Sequence, residues 1–218
     1  FTIGSFNFAL HYSVLHGNKR ELRRNIELIS FTTTVTILTL LTFCGLMKDH
    51  VYPNTVALIR KGFYQLISAH TTTGFMSLYA RQMYHDWGNL AIFAMILAML
   101  FGGSACSTAG GFKGLRIGII FKAICSDIRR YTVPKSRVTT THIHHIRDMV
   151  LTESMVRSAF TIVILYIVTF VIGMVAGMCA GYSGIESAYE SASATGNVGL
   201  SIGVTSPTDP EFLKITYI

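Results

Sequence analysis

The sequence has 218 residues, of which 50% are hydrophobic and only 13% charged, with a net charge of +7 and a mean hydropathy of +0.47. A soluble globular domain averages about 25% charged residues, so a water-soluble domain does not fit and the composition asks for an apolar solvent, that is, a polytopic membrane protein. The basic residues lie in blocks beside apolar segments, with no aromatic-interleaved basic face, which excludes a nucleic-acid-binding reading.

Residues 1–16 read as the end of a membrane helix, followed by the basic block Lys19, Arg20, Arg23 and Arg24. Residues 29–47 are 19 uncharged positions, close to the ~20 that a helix needs to cross the hydrocarbon layer. Their many threonines are tolerable because a hydroxyl can bond the carbonyl one turn back. Pro53-Asn54 then marks the start of a short helix running to Ala69. That helix is too short to span, and it runs into a stretch of threonine and glycine, the pattern of a re-entrant loop.

Residues 87–101 resume an apolar helix, "GGSACSTAGG" at 102–111 interrupts it, and helical character returns over 112–122. Glycine at that density breaks a membrane helix, and a break is tolerated only where the backbone is buried in protein or lines a cavity. Basic residues are dense from here on (Lys113, Arg116, Lys122, Arg129, Arg130, Lys135, Arg137, Arg147), which places this side in the cytoplasm. Residues 123–150, with Pro134 and "THIHHIRD", read as a basic cytoplasmic linker. Arg157 is expected to snorkel to the interface. Residues 158–180 are 23 uncharged positions and a second full span. A short helix and a Gly/Thr/Asn run follow again, and a new apolar element starts after Pro210. Both ends of the chain fall in apolar stretches, so it is expected to be a piece of a longer protein.

The two halves repeat. Aligning "SAHTTTGFMS" (68–77) with "SATGNVGLSI" (193–202) pairs Ser68 with Ser193, Ala69 with Ala194, Gly74 with Gly199 and Phe75 with Leu200. Such internal repeats are common in transport folds. A dehydrated cation needs oxygen ligands, and rings of backbone carbonyls supply them. Thr72-Thr73-Gly74 and Asn197-Val198-Gly199 have the required form, each after a helix whose C-terminal partial negative charge favours a cation. Glu186 and Glu190 read as N-terminal dipole partners or outer-vestibule charge rather than filter ligands.

Other chemistry finds little support. "GSACSTAGGFKG" lacks the phosphate-loop order, because Lys113 is followed by Gly114. His142, His144 and His145 lack the helical metal-ligand spacing, so a solvated linker is the better reading. Cys44, Cys106, Cys125 and Cys179 are scattered and read as inert core residues. His70, beside the first loop, is open to a pH-sensing role, though buttressing the pore helix is the commoner one. No carboxylate pair lies in an apolar segment, so enzymatic acid/base work is not expected.

These residues reach a known family. "SAHTTTGFMS" and above all "SASATGNVGLS" resemble pore loops of the Trk/Ktr/HKT superfamily of potassium transporters. "GGSACSTAGGFKGLRI" resembles the broken inner helix of its third repeat, and "NFALHYSVLHG" the end of its second. The likeness covers the chain in order and is closest to the prokaryotic Trk-type membrane subunit. It implies an all-α, potassium-channel-like fold built from repeats of outer helix, re-entrant pore helix with filter loop, and inner helix. Residues 1–24 would end the preceding repeat. Residues 25–122 would be a complete repeat and 123–150 the linker. Residues 151–218 would be a further repeat without its inner helix.

The resemblance implies a potassium-uptake pore with K⁺ held by Thr72, Thr73, Gly74, Asn197, Val198 and Gly199, and no covalent cofactor. The gate would be an intramembrane loop (Gly102, Gly103, Ser104, Ser107, Thr108, Gly110, Gly111), with Lys113 as a positive barrier beside it. Membrane lipid, a homodimeric partner and a cytoplasmic nucleotide-binding regulatory subunit are implied too. Four filters close one pore in this family and two are present here, so this stretch alone is not expected to conduct selectively. The alternative is a secondary solute transporter whose broken helices form a midplane substrate site.

Overall fold

The computed structural model describes residues 1–18, 20–132, 141–145, 147–205 and 210–217, so Lys19, Pro134, Lys135 and Arg137 lie outside the described residues. Among the described residues the regular elements are helices and one short hairpin. Helix α1 (Phe8–Leu15) and the single turn α2 (Glu21–Arg24) lead into α3 (Ile26–Lys48). Asn25 starts α3 by accepting the Glu27 N–H at 2.9 Å, which satisfies one of the orphan donors of the first turn. The threonine hydroxyls of α3 do bond back: Thr32, Thr36, Thr39 and Thr42 each donate to the carbonyl four residues earlier at 2.7–2.8 Å. An apolar solvent therefore meets no free hydroxyl there.

A short re-entrant helix follows. It consists of α4 (Thr55–Leu58), a π-helical turn (Ile59–Phe63) and α5 (Tyr64–His70). Helix α6 (Ala80–Asp86) returns the chain to α7 (Asn89–Leu100), which is buried along most of its length and forms the core with α3 and α5. Gly45 of α3 sits so close to α7 that a Cβ there would lie 2.8 Å from the Ala91 nitrogen, the small-residue packing by which membrane helices approach. After the break, α8 (Gly114–Thr132) descends. Helix α9 (Glu153–Cys179) is the second long span, followed by α10 (Gly184–Thr195) and α11 (Glu211–Tyr217). Both α3 and α9 are long and apolar enough to cross a membrane. Their Ile37, Leu40, Ile164, Leu165 and Ile172 side chains face outward, which asks for lipid or another apolar surface against them.

Two features differ from the sequence reading, and one expected element takes definite form. Helix α8 continues past 122, and strands β1 (His142–His145) and β2 (Arg147–Val150) pair antiparallel, so 123–150 contains ordered structure where a linker was expected. Alternation explains this, since Ile143 alone on its strand is fully buried and packs with Ile26, Ile119 and Ala159. The cysteines are not core residues: Cys44, Cys106, Cys125 and Cys179 are all exposed. Apolar composition signals burial in water but not in lipid. Finally, α11 packs on α9 through the Tyr217 hydroxyl, which donates to the Gly173 carbonyl at 3.1 Å. The new element expected after Pro210 is thus a short helix packed on α9. Arg157 is exposed, as expected, with Glu153 at 4.0 Å.

His144 anchors the hairpin and is not solvated, with Asp148 at 2.6 Å and Glu21 at 3.0 Å. The Asp148 hydrogen bond, then the Glu21 contact, raises the His144 imidazole above the usual histidine range, and Asp148 is correspondingly lowered by His144. A raised histidine stabilises the folded arrangement fully below its unfolded value of about 6.5, and that contribution is lost as pH rises through the folded value. An NMR titration of His144 should therefore give a midpoint above 6.5, and Asp148→Asn should move it down. A midpoint at or below the ordinary value removes the anchor.

Candidate ion pathway

Helices α5 and α10 aim their C-termini at two loops with the same backbone. At the first, the N–H groups of Thr71, Thr72 and Thr73 donate to Ile67, Ala69 and Ser68 at 2.9, 3.1 and 2.9 Å. At the second, Gly196, Asn197 and Val198 donate to Ala192, Ala194 and Ser193 at 2.9, 3.0 and 2.8 Å. Each bond in one loop has its partner 125 positions along in the other. The dihedrals match as well: Thr72 (φ +52) and Gly74 (+78) correspond to Asn197 (+52) and Gly199 (+82). A β-branched residue such as Thr72 in the left-handed region is strained, and such strain persists only where surrounding structure holds it.

The holding groups repeat too. Gln65 on α5 and Glu190 on α10 are both buried. Gln65 Oε1 accepts the Ser77 N–H at 3.2 Å, and Glu190 Oε1 accepts the Ile202 N–H at 3.0 Å and the Ser201 hydroxyl at 2.6 Å. Each fixes the chain as it leaves its loop. Glu190 is thus a buried brace, not a vestibule charge. Glu186 does serve the N-terminus of α10, forming a reciprocal capping box with Ser183. Ser68 adds a hydroxyl bond to the Phe75 carbonyl at 2.7 Å. His70 is fully buried with its Nε2 2.8 Å from Thr34 Oγ1, a contact that ties α5 to α3.

The two loops meet. A side chain at Gly74 would collide with the Val198 carbonyl, whereas the space beside Gly199 is open. The Thr71 and Thr73 hydroxyls share a 2.7 Å bond. Residues 102–113 form a third loop pressed against both. Its base is closed by Gly102 N–H to Phe112 O at 2.9 Å and Phe112 N–H to Leu100 O at 2.8 Å, and Gly102 lies directly against the Gly110 carbonyl. At its other end, the Gly110 N–H donates to Thr72 Oγ1 at 2.7 Å, and Gly110 leaves no room for a side chain against the Gly196 carbonyl. On another side, Ser104 N–H and Thr108 Oγ1 donate to the Ser5 and Gly4 carbonyls at 2.8 and 3.1 Å. Gly103 also packs on Ser5.

Within the third loop, Ser107 Oγ donates to Ser104 O at 2.7 Å, Lys113 Nζ donates to Ala109 O, and Gly111 turns the chain at φ +67. Away from Thr72 and Gly196, Glu27 Oε1 accepts the Ala105 N–H at 2.7 Å. Sequence reasoning singled out the loop residues, missed Glu27 and Gln65, and gave Glu190 a role other than the brace seen here. Extending the repeat alignment three positions upstream of Ser68 and Ser193 pairs Gln65 with Glu190 and would have found the braces.

Residues 2–218 match the family model of the TrkH cation transport proteins. The chain belongs to the TrkH family. It is 30% identical over 217 residues to an uncharacterised cation transporter of Methanocaldococcus jannaschii, covering 99% of this chain and 41% of that protein. It is 28% identical over 205 residues to the Trk system potassium uptake protein TrkG of Escherichia coli, covering 94% and 40%. The crystal structure of the potassium transporter TrkH from Vibrio parahaemolyticus superposes with a TM-score of 0.80 at 22% identity, over 99% of this chain and 46% of that one. The fold is that family's polytopic membrane fold. The chain spans less than half the length of these relatives. The family transports cations and is not one of enzymes.

Proposed function

We propose that the chain supplies two successive pore repeats, 25–122 and 151–218, of a potassium-uptake protein of the cytoplasmic membrane. The observation that carries this reading is the identical left-handed, glycine-containing turn at Thr72–Gly74 and Asn197–Gly199, each braced from behind and set against the other. Left-handed residues alternating with right-handed ones turn successive peptide carbonyls toward one side, which a dehydrated cation requires. K⁺ would be held by backbone oxygens of Thr72, Thr73, Gly74, Asn197, Val198 and Gly199. Thr72 Oγ1 is committed to Gly110, so the filter relies on carbonyls there.

The loop from Gly102 to Lys113 is the gate in this reading. It lies against both filter loops and is tethered by bonds that a modest rearrangement exchanges. The Lys113 ammonium is turned onto the Ala109 carbonyl, so it braces the loop as well as adding positive potential. The names of the relatives speak of a Trk system, and a homodimer with a cytoplasmic nucleotide-binding regulatory subunit is the expected assembly. A midplane solute site is less well supported, because α4–α5 and α10 are short helices that lead into turns and are not halves of an unwound span.

The test is growth at low external K⁺. The intact protein, expressed in cells lacking their own K⁺ uptake, should restore growth and ⁸⁶Rb⁺ accumulation. Correct membrane insertion without rescue, or rescue of solute uptake alone, overturns the reading.

A further inference from the structure

One carboxylate touches both the intramembrane loop and the cytoplasmic hairpin. Glu27 lies on the first turn of α3 with its side chain 1% exposed. Its Oε1 holds the Ala105 N–H at 2.7 Å. Its Oε2 has no hydrogen-bond partner, and neither has His145 Nδ1, which faces it at 3.7 Å from the end of β1. Two buried polar atoms left facing each other are costly, and a shift of less than about 1 Å would bring them to hydrogen-bond distance. Around the same carboxylate, Ser104 Oγ is buried without a partner, and Lys113 is held on the loop.

The hairpin that carries His145 is not a loose strand. Ile143 seats it on Ile26 of α3, Ile119 of α8 and Ala159 of α9, and His144 fastens it to Glu21 and Asp148. These contacts make the hairpin one body with His145, so any displacement of it carries His145 along.

We infer that Glu27 is a positioning residue for the intramembrane loop, and that it passes displacements of the 142–150 hairpin to that loop. With His145 drawn onto Oε2, the carboxylate is fixed from both sides and Ala105 stays where the loop closes the pathway. With the hairpin drawn away, Glu27 is free to change rotamer and release the Ala105 N–H. This inference rests on the gate reading of residues 102–113.

The experiment is a double-mutant cycle on ⁸⁶Rb⁺ flux through the full-length protein in proteoliposomes. Glu27→Gln retains an oxygen for Ala105 and loses the charge that attracts His145, so it should raise basal flux about as much as H145A does. H145A alone should raise flux about fivefold, within the range of such couplings, and should have less than about a twofold effect in the E27Q background. A fivefold effect in both backgrounds, or none in either, overturns the coupling. Hydrogen exchange supplies a second measurement: the Ala105 amide should lose protection in H145A and keep it in the structurally remote control Arg157→Ala. Unchanged protection in H145A counts against the inference. Deletion of 104–109 separates the two readings. If it leaves flux unaltered, the gate reading itself fails, whereas a flux increase on deletion with no effect of H145A sinks only the role of Glu27.

Discussion

Replacing Gly199 with serine should reduce the preference for K⁺ over Na⁺ by about tenfold, with protein still reaching the membrane. Gly199 adopts φ +82 and has open space where a side chain would go. The serine therefore meets no collision, but its backbone is held where an L-residue costs about 1–2 kcal/mol. Since 1.4 kcal/mol is a factor of about ten in an equilibrium, relaxation of that strain is enough to shift the carbonyls that the proposed filter would use to tell the two ions apart. Gly181 provides the control. It has φ +95 and open surroundings too, yet lies between α9 and α10, away from the loops. Gly181→Ser should bear similar strain and leave selectivity intact. Permeability ratios from competitive Rb⁺ and Na⁺ fluxes decide the matter, and equal ratios for wild type and G199S would remove Gly199 from the filter. Gly74 should behave differently, because any side chain there strikes the Val198 carbonyl. Its serine variant should lose flux for every ion.

Deleting residues 104–109 should raise K⁺ flux several-fold. The deletion can be closed, since Gly102 already touches the Gly110 carbonyl and Gly103 lies against Ala109. It spares the pairing of Gly102 with Phe112 at the base and the Gly110 bond to Thr72 at the filter. It removes the Ala105 bond to Glu27 and the Ser104 and Thr108 bonds to the preceding segment. What disappears is the tethered span and not its supports, so a rise in ⁸⁶Rb⁺ uptake with normal membrane levels is the expected result. Unchanged or lower uptake at normal levels would mean that the loop is structural filling.

The physical consequence of a bridging carboxylate extends the same picture. A gate tethered only to the filter would open with the filter and endanger selectivity. In the reading we propose, tethers to the segment before α1, through Ser5 and Gly4, and to α3, through Glu27, would let the loop respond to movements elsewhere while Gln65 and Glu190 hold the two turns in place.

Much of this was legible in the residues. The uncharged lengths of 29–47 and 158–180 specify spans because the bilayer thickness sets how many apolar residues a helix needs. The glycine cluster at 102–111 specifies a break because backbone entropy and exposure weigh against helix there. Pairing Gly74 with Gly199 located both left-handed turns, since that dihedral is open chiefly to glycine. These are local properties, readable along a single stretch of chain. Tertiary structure decided the rest. Thr72 meets Gly110 across 38 positions, Glu27 meets Ala105 across 78, and His144 meets Glu21 across 123. No pattern in the sequence announces such contacts, because each depends on how several helices pack. The same holds for Glu190, whose charge suggested a vestibule until burial against Ser201 and Ile202 made it a brace, and for the hairpin, which one alternating isoleucine holds to three helices. The sequence determined that two re-entrant turns exist and where they lie. Packing alone determined that they touch, what holds them, and which carboxylate joins the loop beside them to the cytoplasmic side.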